Sequence, residues 1–503
     1  RLGEKPFYYT IAGNNFVFAS EIKSILMFPG IKRRINTGAL DKFLSLRYCP
    51  GNETMVCDVF KLKPGHWLKY SNGSIEIKKY WDLKPGDINQ RDESYYSGLF
   101  ARLLEDSVRM RLISEVPLGI YLSGGLDSSA ITAVASRALE KPVNTFSMGF
   151  GTEKESEFDY ARLVSEKFGT NHKEIMVNNR SFDALPEIIW HNDEPLGDPT
   201  IIPTYFISKA TKKHATVVLT GEGADELFSG YFHEKAMILA DRFLANKRIS
   251  GDTYAKLAKL APDFILNKFF EYPADLGDAG KERIYRSLRN LHSNAAMYAT
   301  FVENFSEEEK RGILKTYKTT ASMFKDYFGG GNEISQNMLL IDREMWLPDY
   351  ILLRLDRMTM ANSVEGRVPY LDHRLMELSM SMPQKLKLRG FTEKYILRRA
   401  MKNILPAEIL KRKKRPFITP VSEWGEKSLK EMFSAVFGER RFASDKLINP
   451  SKVFGLPNKY EKSKLITGRQ MFSLLSLELW VRIFINTDPS EWKIKNLSKV
   501  CGL

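Results

Sequence analysis

The run Tyr121-Leu122-Ser123-Gly124-Gly125-Leu126-Asp127-Ser128-Ser129 leads an apolar stretch into two glycines and several hydroxyl side chains at the start of a helical pattern. The glycines leave backbone N–H groups unblocked, and a helix start aims its dipole at the same point, so the segment suits an anion such as phosphate. The Gly-x-x-x-x-Gly-Lys spacing of a Walker loop is missing, which turns the expected chemistry away from γ-phosphoryl transfer and toward another part of a nucleotide. Ser-Gly-Gly alone also describes an ordinary tight turn, and it is the longer context that argues for a cradle. The dense basic run Lys411-Arg412-Lys413-Lys414-Arg415 suits a phosphate partner and describes a nuclear-localisation or nucleic-acid patch equally well.

These groups need a scaffold. The chain has 503 residues, 43% apolar and 27% charged, which is too long for one core and too apolar for disorder. Residues 1 to about 83 read as β-rich: Phe7 to Ile11 and Phe16 to Ala19 flank Gly13-Asn14-Asn15, and Trp67 to Tyr70 meets Ile75 to Tyr80 across Ser71-Asn72-Gly73-Ser74. The polar stretch from Asp82 to about Ser94, with Pro85 and Gly86, predicts a domain boundary, the first domain ending near residue 85. Beyond it, apolar strands (Gly119 to Leu122, Val143 to Met148, Val217 to Leu219) alternate with helices from Ser128 and near Tyr160 to Phe168. That alternation predicts an α/β fold with a parallel sheet, helices on both faces, and ligands at the carboxyl ends of the strands. Residues from about 232 onward read as mostly helical, and Met471 to Ile485, broken by Glu478 and Arg482, as a packed amphipathic helix rather than a membrane span. The charge of +14 is mostly dispersed, and Cys49, Cys57 and Cys501 form no C-x-x-C pair, so a reducing, cytoplasmic setting is expected.

The Ser123 to Ser129 loop resembles the pyrophosphate loop of the ATP pyrophosphatase superfamily, and the surrounding chain resembles glutamine-hydrolysing asparagine synthetases. The resemblance continues in Leu219-Thr220-Gly221-Glu222-Gly223-Ala224-Asp225-Glu226-Leu227-Phe228, followed by Ser229-Gly230-Tyr231, and in the segment from Leu355 to Asp372. Glu393-Lys394-Tyr395 and Lys411 to Phe417 extend it over nearly the whole chain. It implies an adenine nucleotide α-hydrolase-like PP-loop domain over residues 95–503, with a helical insertion at about 232–340. Residues 1–85 would be the end of an α+β, N-terminal-nucleophile-type class II glutaminase domain.

The activity implied is adenylation of a carboxylate by ATP with release of pyrophosphate, then attack of ammonia, normally drawn from glutamine, on the acyl carbon. In that scheme Leu122, Ser123, Gly124, Gly125, Asp127, Ser128, Met148, Thr220 and Gly221 surround ATP, with Leu122 and Met148 flanking adenine or simply packing in the core. Asp127 and Asp225 are the expected Mg²⁺ ligands, with helix N-terminal capping as the plainer role for each. Glu222 is the expected base for the incoming amine, against a surface-turn carboxylate, and Lys414, matching the family lysine ahead of Pro416-Phe417 and after a helix from Glu393, neutralises the departing pyrophosphate. Asp225, Glu226, Tyr231, Arg354 and Arg367 are assigned to the substrate; Arg354 and Arg367 would clamp its carboxylate or brace Asp356 and Glu365.

Two departures from the family pattern stand out. Residue 1 is arginine, where the family's glutaminase begins with a catalytic cysteine, so the front half of that domain is expected to be missing and this chain is not expected to hydrolyse glutamine. No family motif falls between Tyr231 and about Met338, where Phe269, Phe270, Tyr272, Tyr285 and Tyr298 read as helical core. The substrate therefore stays open among aspartate, a cell-envelope, polysaccharide or peptide carboxylate, and an internal amine partner as in a lactam synthetase. The rival from another class is a basic nucleic-acid-binding or RNA-modifying protein, set aside for want of an RNA-binding motif. Partners are expected to be small molecules, with no membrane and with a homodimer left open.

Overall fold

A computed structural model describes the chain apart from residues 87, 89–90, 150–156, 245–249, 261–276, 315–318, 330, 413–425, 439–442, 445, 495–496 and 503. Its strands are β1 (Tyr8–Ala12), β2 (Asn15–Ala19), β3 (Phe60–Lys61), β4 (His66–Ser71), β5 (Ser74–Lys79), β6 (Leu118–Tyr121), β7 (Asn144–Gly149), β8 (Asn171–Met176), β9 (Val217–Leu219) and β10 (Glu365–Arg367). Among the described residues they form an antiparallel sheet in the order β2-β1-β3, the β4-β5 hairpin, and a parallel sheet in the order β10-β9-β6-β7-β8.

The parallel sheet is α/β in architecture, as expected. Helices Leu126–Ala138, Glu157–Phe168 and Ile201–Thr211 follow β6, β7 and β8, and the rest of the chain is predominantly helical. Because β6 lies between β9 and β7, the chain leaves it toward opposite edges of the sheet on the two sides, which opens a crevice at the carboxyl ends of β6 and β9. The antiparallel sheet and the Thr37–Leu46 helix share one continuous core with the parallel sheet, through Tyr8, Phe43 and Leu44 on one side and Ile120, Leu219 and Leu355 on the other.

Several boundaries differ from the sequence reading. The helix expected from Ser128 begins at Leu126, with Gly125 as extended N-cap, and the one expected near Tyr160 begins at Glu157. The helix expected from Glu393 begins at Tyr395, because Lys394 adopts φ +52, outside the helical region. β10, in a region read as helical, pairs Glu365, Gly366 and Arg367 with Val217, Val218 and Leu219. Its Glu-Gly-Arg sequence has neither branched residues nor alternation to announce a strand. The helix spanning Met471 belongs to Lys464–Trp480 and is buried almost all round rather than on one face. Glu478 is tolerated inside because its carboxylate accepts from the backbone of Ala443 (2.7 Å) and Ser444 (3.0 Å) and pairs with Arg482 at 2.8 Å. No helix among the described residues is long and apolar enough to cross a membrane. All three cysteines are free, and burial pushes the Cys49 thiol well above its ordinary range.

Candidate active site

β6 delivers Leu122 to the edge of the crevice, where its N–H still donates to Phe146 O at 2.8 Å, and the chain then turns through Ser123, Gly124 and Gly125 into the Leu126–Ala138 helix. Gly124 has φ +66, and a Cβ there would stand 2.5 Å from Tyr160 Cβ and 2.6 Å from Ala161 N, so the loop lies tight against the Glu157–Phe168 helix. Ser123 N–H donates to Ser128 Oγ (3.2 Å) and Gly125 N–H to Ser123 Oγ (3.3 Å). The two hydroxyls thus stand in for an anion at donors that a phosphate oxygen would take. Arg412 donates to Ser123 O at 3.3 Å and stacks over Tyr160, 4.1 Å from the ring centre. The described start of the basic run therefore reaches the loop itself. Lys414, the expected pyrophosphate lysine, lies outside the described residues.

β9 brings the second loop alongside. A Cβ on Gly221 would lie 3.1 Å from both Asp127 Cβ and Ser128 N, so the loops are in direct contact. Thr220 is buried, with its hydroxyl lacking a hydrogen-bond partner, and Leu122 and Met148 are buried at neighbouring strand ends. Asp127 and Asp225 converge on one ammonium: Lys394 Nζ lies 2.5 Å from Asp127 Oδ2 and 2.7 Å from Asp225 Oδ1. Burial opposes the lysine's charge, yet the two carboxylates raise its pKa. Gly230 makes room for this arrangement, since a Cβ there would fall 2.0 Å from Asp225 Oδ1 and 2.4 Å from Lys394 Cε. Tyr370 donates to Asp127 O at 3.1 Å and steadies the first helical turn.

Glu222 projects from the same loop with its side chain about one third exposed. Arg354 Nη2 donates to Glu222 Oε1 at 3.0 Å and Nη1 to Thr200 Oγ1 at 2.6 Å. Glu226 is buried beneath, accepting the Tyr231 hydroxyl at 2.7 Å, and Trp346 donates to that hydroxyl at 3.3 Å. Burial, with Asp225 and Glu222 nearby, pushes the Glu226 carboxyl up to about 7, against the hydrogen bond from Tyr231.

The fold thus gathers Ser123 to Ser128, Thr220, Gly221, Glu222, Asp225, Glu226, Tyr231 and Arg354. It does not gather Arg367, which binds Glu365 (2.9 Å) and the carbonyls of Arg111 (2.8 Å) and Ile113 (2.7 Å), bracing the end of the Glu93–Leu112 helix against β10. Nor does Arg354 brace Asp356, which pairs with Lys5 at 2.6 Å. Lys394, Thr200 and Arg412 carried no assignment in the sequence reading. The matched run Glu393-Lys394-Tyr395 was the signal for Lys394 and the basic run from Lys411 the signal for Arg412, while Thr200 had none beyond its residue type. Among the described residues, no group of three or more His, Cys, Asp or Glu side chains could hold a metal unaided. Asp127 and Asp225 instead offer two convergent carboxylates, the number Mg²⁺ commonly takes when phosphates complete its shell.

Known families and proteins resemble this chain over most of its length. The family described as Asparagine synthase matches residues 99–482, and the Glutamine amidotransferase domain family matches residues 1–81. The glutamine-hydrolysing asparagine synthetase 1 of Bacillus subtilis (strain 168) is 32% identical over 492 residues, covering 96% of this chain and 74% of the relative. Asparagine synthetase 3 of the same organism is 30% identical over 454 residues, covering 84% and 66%. The amidase chyE of Penicillium rubens is 27% identical over 475 residues, covering 84% and 67%. On these matches the chain belongs to the glutamine-hydrolysing asparagine synthetase family of carbon–nitrogen ligases.

Proposed function

We propose that the protein is an ATP-dependent amide-forming ligase that adenylates a carboxylate, aspartate foremost, releases pyrophosphate, and passes ammonia to the acyl carbon to give the amide. The observation that carries this reading is the convergence of Asp127 and Asp225 on Lys394 at the mouth of the Ser123 to Ser129 loop, with Glu222 on the adjoining strand end. The match of residues 1–81 to the Glutamine amidotransferase domain supports glutamine as the nitrogen source. It also supports a division of the chain into residues 1–85 and 95–503. Three free cysteines fit a cytoplasmic setting.

In this scheme the loop N–H groups and the dipole of the Leu126–Ala138 helix hold the β- and γ-phosphates. Mg²⁺ held by Asp127 and Asp225 would neutralise triphosphate charge. Lys394 fixes the spacing of the two carboxylates, and Lys414 meets the charge that develops as pyrophosphate leaves. Glu222, oriented by Arg354, takes the proton from the attacking amine, after which the adduct expels AMP. Arg354 presents a second donor toward the substrate carboxylate. The test is carboxylate-dependent exchange of labelled pyrophosphate into ATP, followed by amide formation with ammonium. Exchange with aspartate, together with asparagine as product, is expected; a chain that binds ATP but shows no carboxylate-dependent exchange would contradict the reading.

A further inference from the structure

Asp198 is buried just ahead of the Ile201–Thr211 helix, and both of its carboxylate oxygens are used. Oδ1 accepts the Thr200 N–H at 2.8 Å, and Oδ2 accepts the Tyr350 hydroxyl. These two partners are the ones that hold Arg354. Its Nη1 donates to Thr200 Oγ1 at 2.6 Å, and its guanidinium carbon stands 5.5 Å from the centre of the Tyr350 ring. The other terminal nitrogen, Nη2, is the donor to Glu222 Oε1 at 3.0 Å. A guanidinium is a rigid planar fork, so fixing one nitrogen and packing the group on a ring sets the direction in which the second nitrogen points. One carboxylate thus stands behind both constraints on the group that aims Glu222.

Asp198 is itself firmly placed. The preceding Gly197 N–H donates to Arg47 O at 2.8 Å, and Leu196 N–H donates to Ser476 Oγ at 3.0 Å. A Cβ on Gly197 would fall 2.1 Å from Ser473 Oγ and 3.0 Å from Arg47 Cβ, so the loop is pressed between the end of the Thr37–Leu46 helix and the Lys464–Trp480 helix. Burial alone would raise the Asp198 carboxyl, but Arg47, Arg354 and Arg469, with the Thr200 N–H, hold it below its usual range. The carboxylate therefore stays ionised, and bonds to an ionised acceptor are shorter and stronger than neutral ones. Arg47 also packs on the outer side of this arrangement, its guanidinium carbon 5.8 Å from the Tyr350 ring centre.

We propose that Asp198 is a positioning residue for amide formation: by holding Thr200 and the Tyr350 hydroxyl it aims Arg354, and through Arg354 the base Glu222. The proposal rests on the ligase reading above and extends it to a residue that stands two contacts behind the base. Arg47, whose carbonyl holds Gly197 beside Asp198, lies within the 1–81 match, so that part of the chain helps to shape the synthetase site.

The experiment measures two rates on one preparation of the full chain: amide formation from aspartate and ammonium, and aspartate-dependent exchange of pyrophosphate into ATP. Their ratio does not depend on the folded fraction, so a purely structural loss cancels from it. Asp198→Asn keeps the size of the side chain and removes its charge. Tyr350→Phe keeps the ring, removes only the hydroxyl, and serves should the first variant fail to fold. The ratio should fall roughly 10- to 100-fold in Asp198→Asn, with a smaller fall in Tyr350→Phe and the KM for ATP unchanged. In an Arg354→Gln background neither substitution should lower it further, because both act through Arg354. A ratio that holds in both single variants, or the same fall repeated in the Arg354→Gln background, would overturn the proposal and leave Asp198 as the counterion of Arg47 and Arg469. Melting temperatures of wild type, Asp198→Asn, Arg354→Gln and the double variant give a reading independent of turnover, and the two single losses should not add. A wild-type chain without exchange would count against the ligase reading itself; the melting cycle would then decide whether Asp198 holds Arg354, additive losses overturning the proposal.

Discussion

Arg354 Nη2 donates to Glu222 Oε1 across 3.0 Å, tying the Leu352–Met360 helix to the loop that follows β9. A carboxylate held this way has one oxygen committed and the other available, an arrangement suited to a base that must be aimed before it accepts a proton. Glu222→Gln should keep pyrophosphate exchange while slowing amide formation by about 10² to 10⁴-fold, the usual contribution of a general base. Lys414→Ala should lose both, because the earlier step fails. Equal loss of exchange in both variants would show that Glu222 positions substrate or metal instead.

Asp127→Ala should abolish carboxylate-dependent exchange in a chain that still folds, since Tyr370 bonds the Asp127 carbonyl rather than its carboxylate and Asp225 stays paired with Lys394, although loss of one of the two carboxylates on that ammonium should lower the melting temperature. Circular dichroism and exchange on the same preparation decide the matter. Exchange at the wild-type rate would remove Asp127 from the phosphate chemistry.

Lys394→Met removes an ammonium shared by two carboxylates at a buried position. Breaking such a pair by deleting one side costs about 3 to 5 kcal/mol. The variant should melt earlier than wild type in the absence of divalent cation, and Mg²⁺ should restore part of the difference by taking the vacated place between the carboxylates. A melting temperature indifferent to Mg²⁺ in the variant would argue against Asp127 and Asp225 as ligands.

Glu226 offers a pH test. Its folded pKa of about 7 lies above the ordinary 4.5, so between those values the folded state binds a proton that the unfolded state does not. Stability from this group is therefore greatest at low pH and falls as pH rises through about 7, a cost on the order of 3 kcal/mol once the carboxyl is ionised. Glu226→Gln has no such titration and can still accept from Tyr231. Its unfolding free energy relative to wild type should rise between pH 5 and pH 8; a difference that stays flat would mean Glu226 is ionised in the fold throughout.

How far the site was legible in the sequence depends on how local each part is. Ser123 to Ser129 could be read because strand end, glycines and helix start are consecutive, and local chemistry dictates all three. The parallel sheet was legible through β6, β7 and β9, whose branched and apolar residues mark them. β8, half exposed and polar in Asn171-His172-Lys173, and β10 are strands only because a neighbour pairs with them. Arg354 and Arg367 show the same limit at residue level. Arg367 sits in the matched Leu355 to Asp372 segment, Arg354 immediately before it, and both are cations, yet the pairing of β10 sends Arg367 to the carbonyls of Arg111 and Ile113, while helix packing sends Arg354 to Glu222. Lys394 was visible as part of a motif, but its partners, Asp127 and Asp225, come from loops whose contact only the tertiary fold creates.

Asp127 and Lys394 stand 267 positions apart. At a synthesis rate of about 5 to 20 residues per second, a nascent chain carries the first for roughly 13 to 53 seconds before the second exists. For part of that interval β9 also waits for β10, so the sheet has an open edge next to a loop whose negative charges lack their counterion. A ribosome-bound chain halted before residue 394 would hold the Ser123 to Ser129 loop without the ammonium that pairs with Asp127. Late closure of this one ammonium on two carboxylates makes assembly of the crevice wait for residues synthesised long after its first loop, and it makes that window the period when the chain most needs shelter from aggregation.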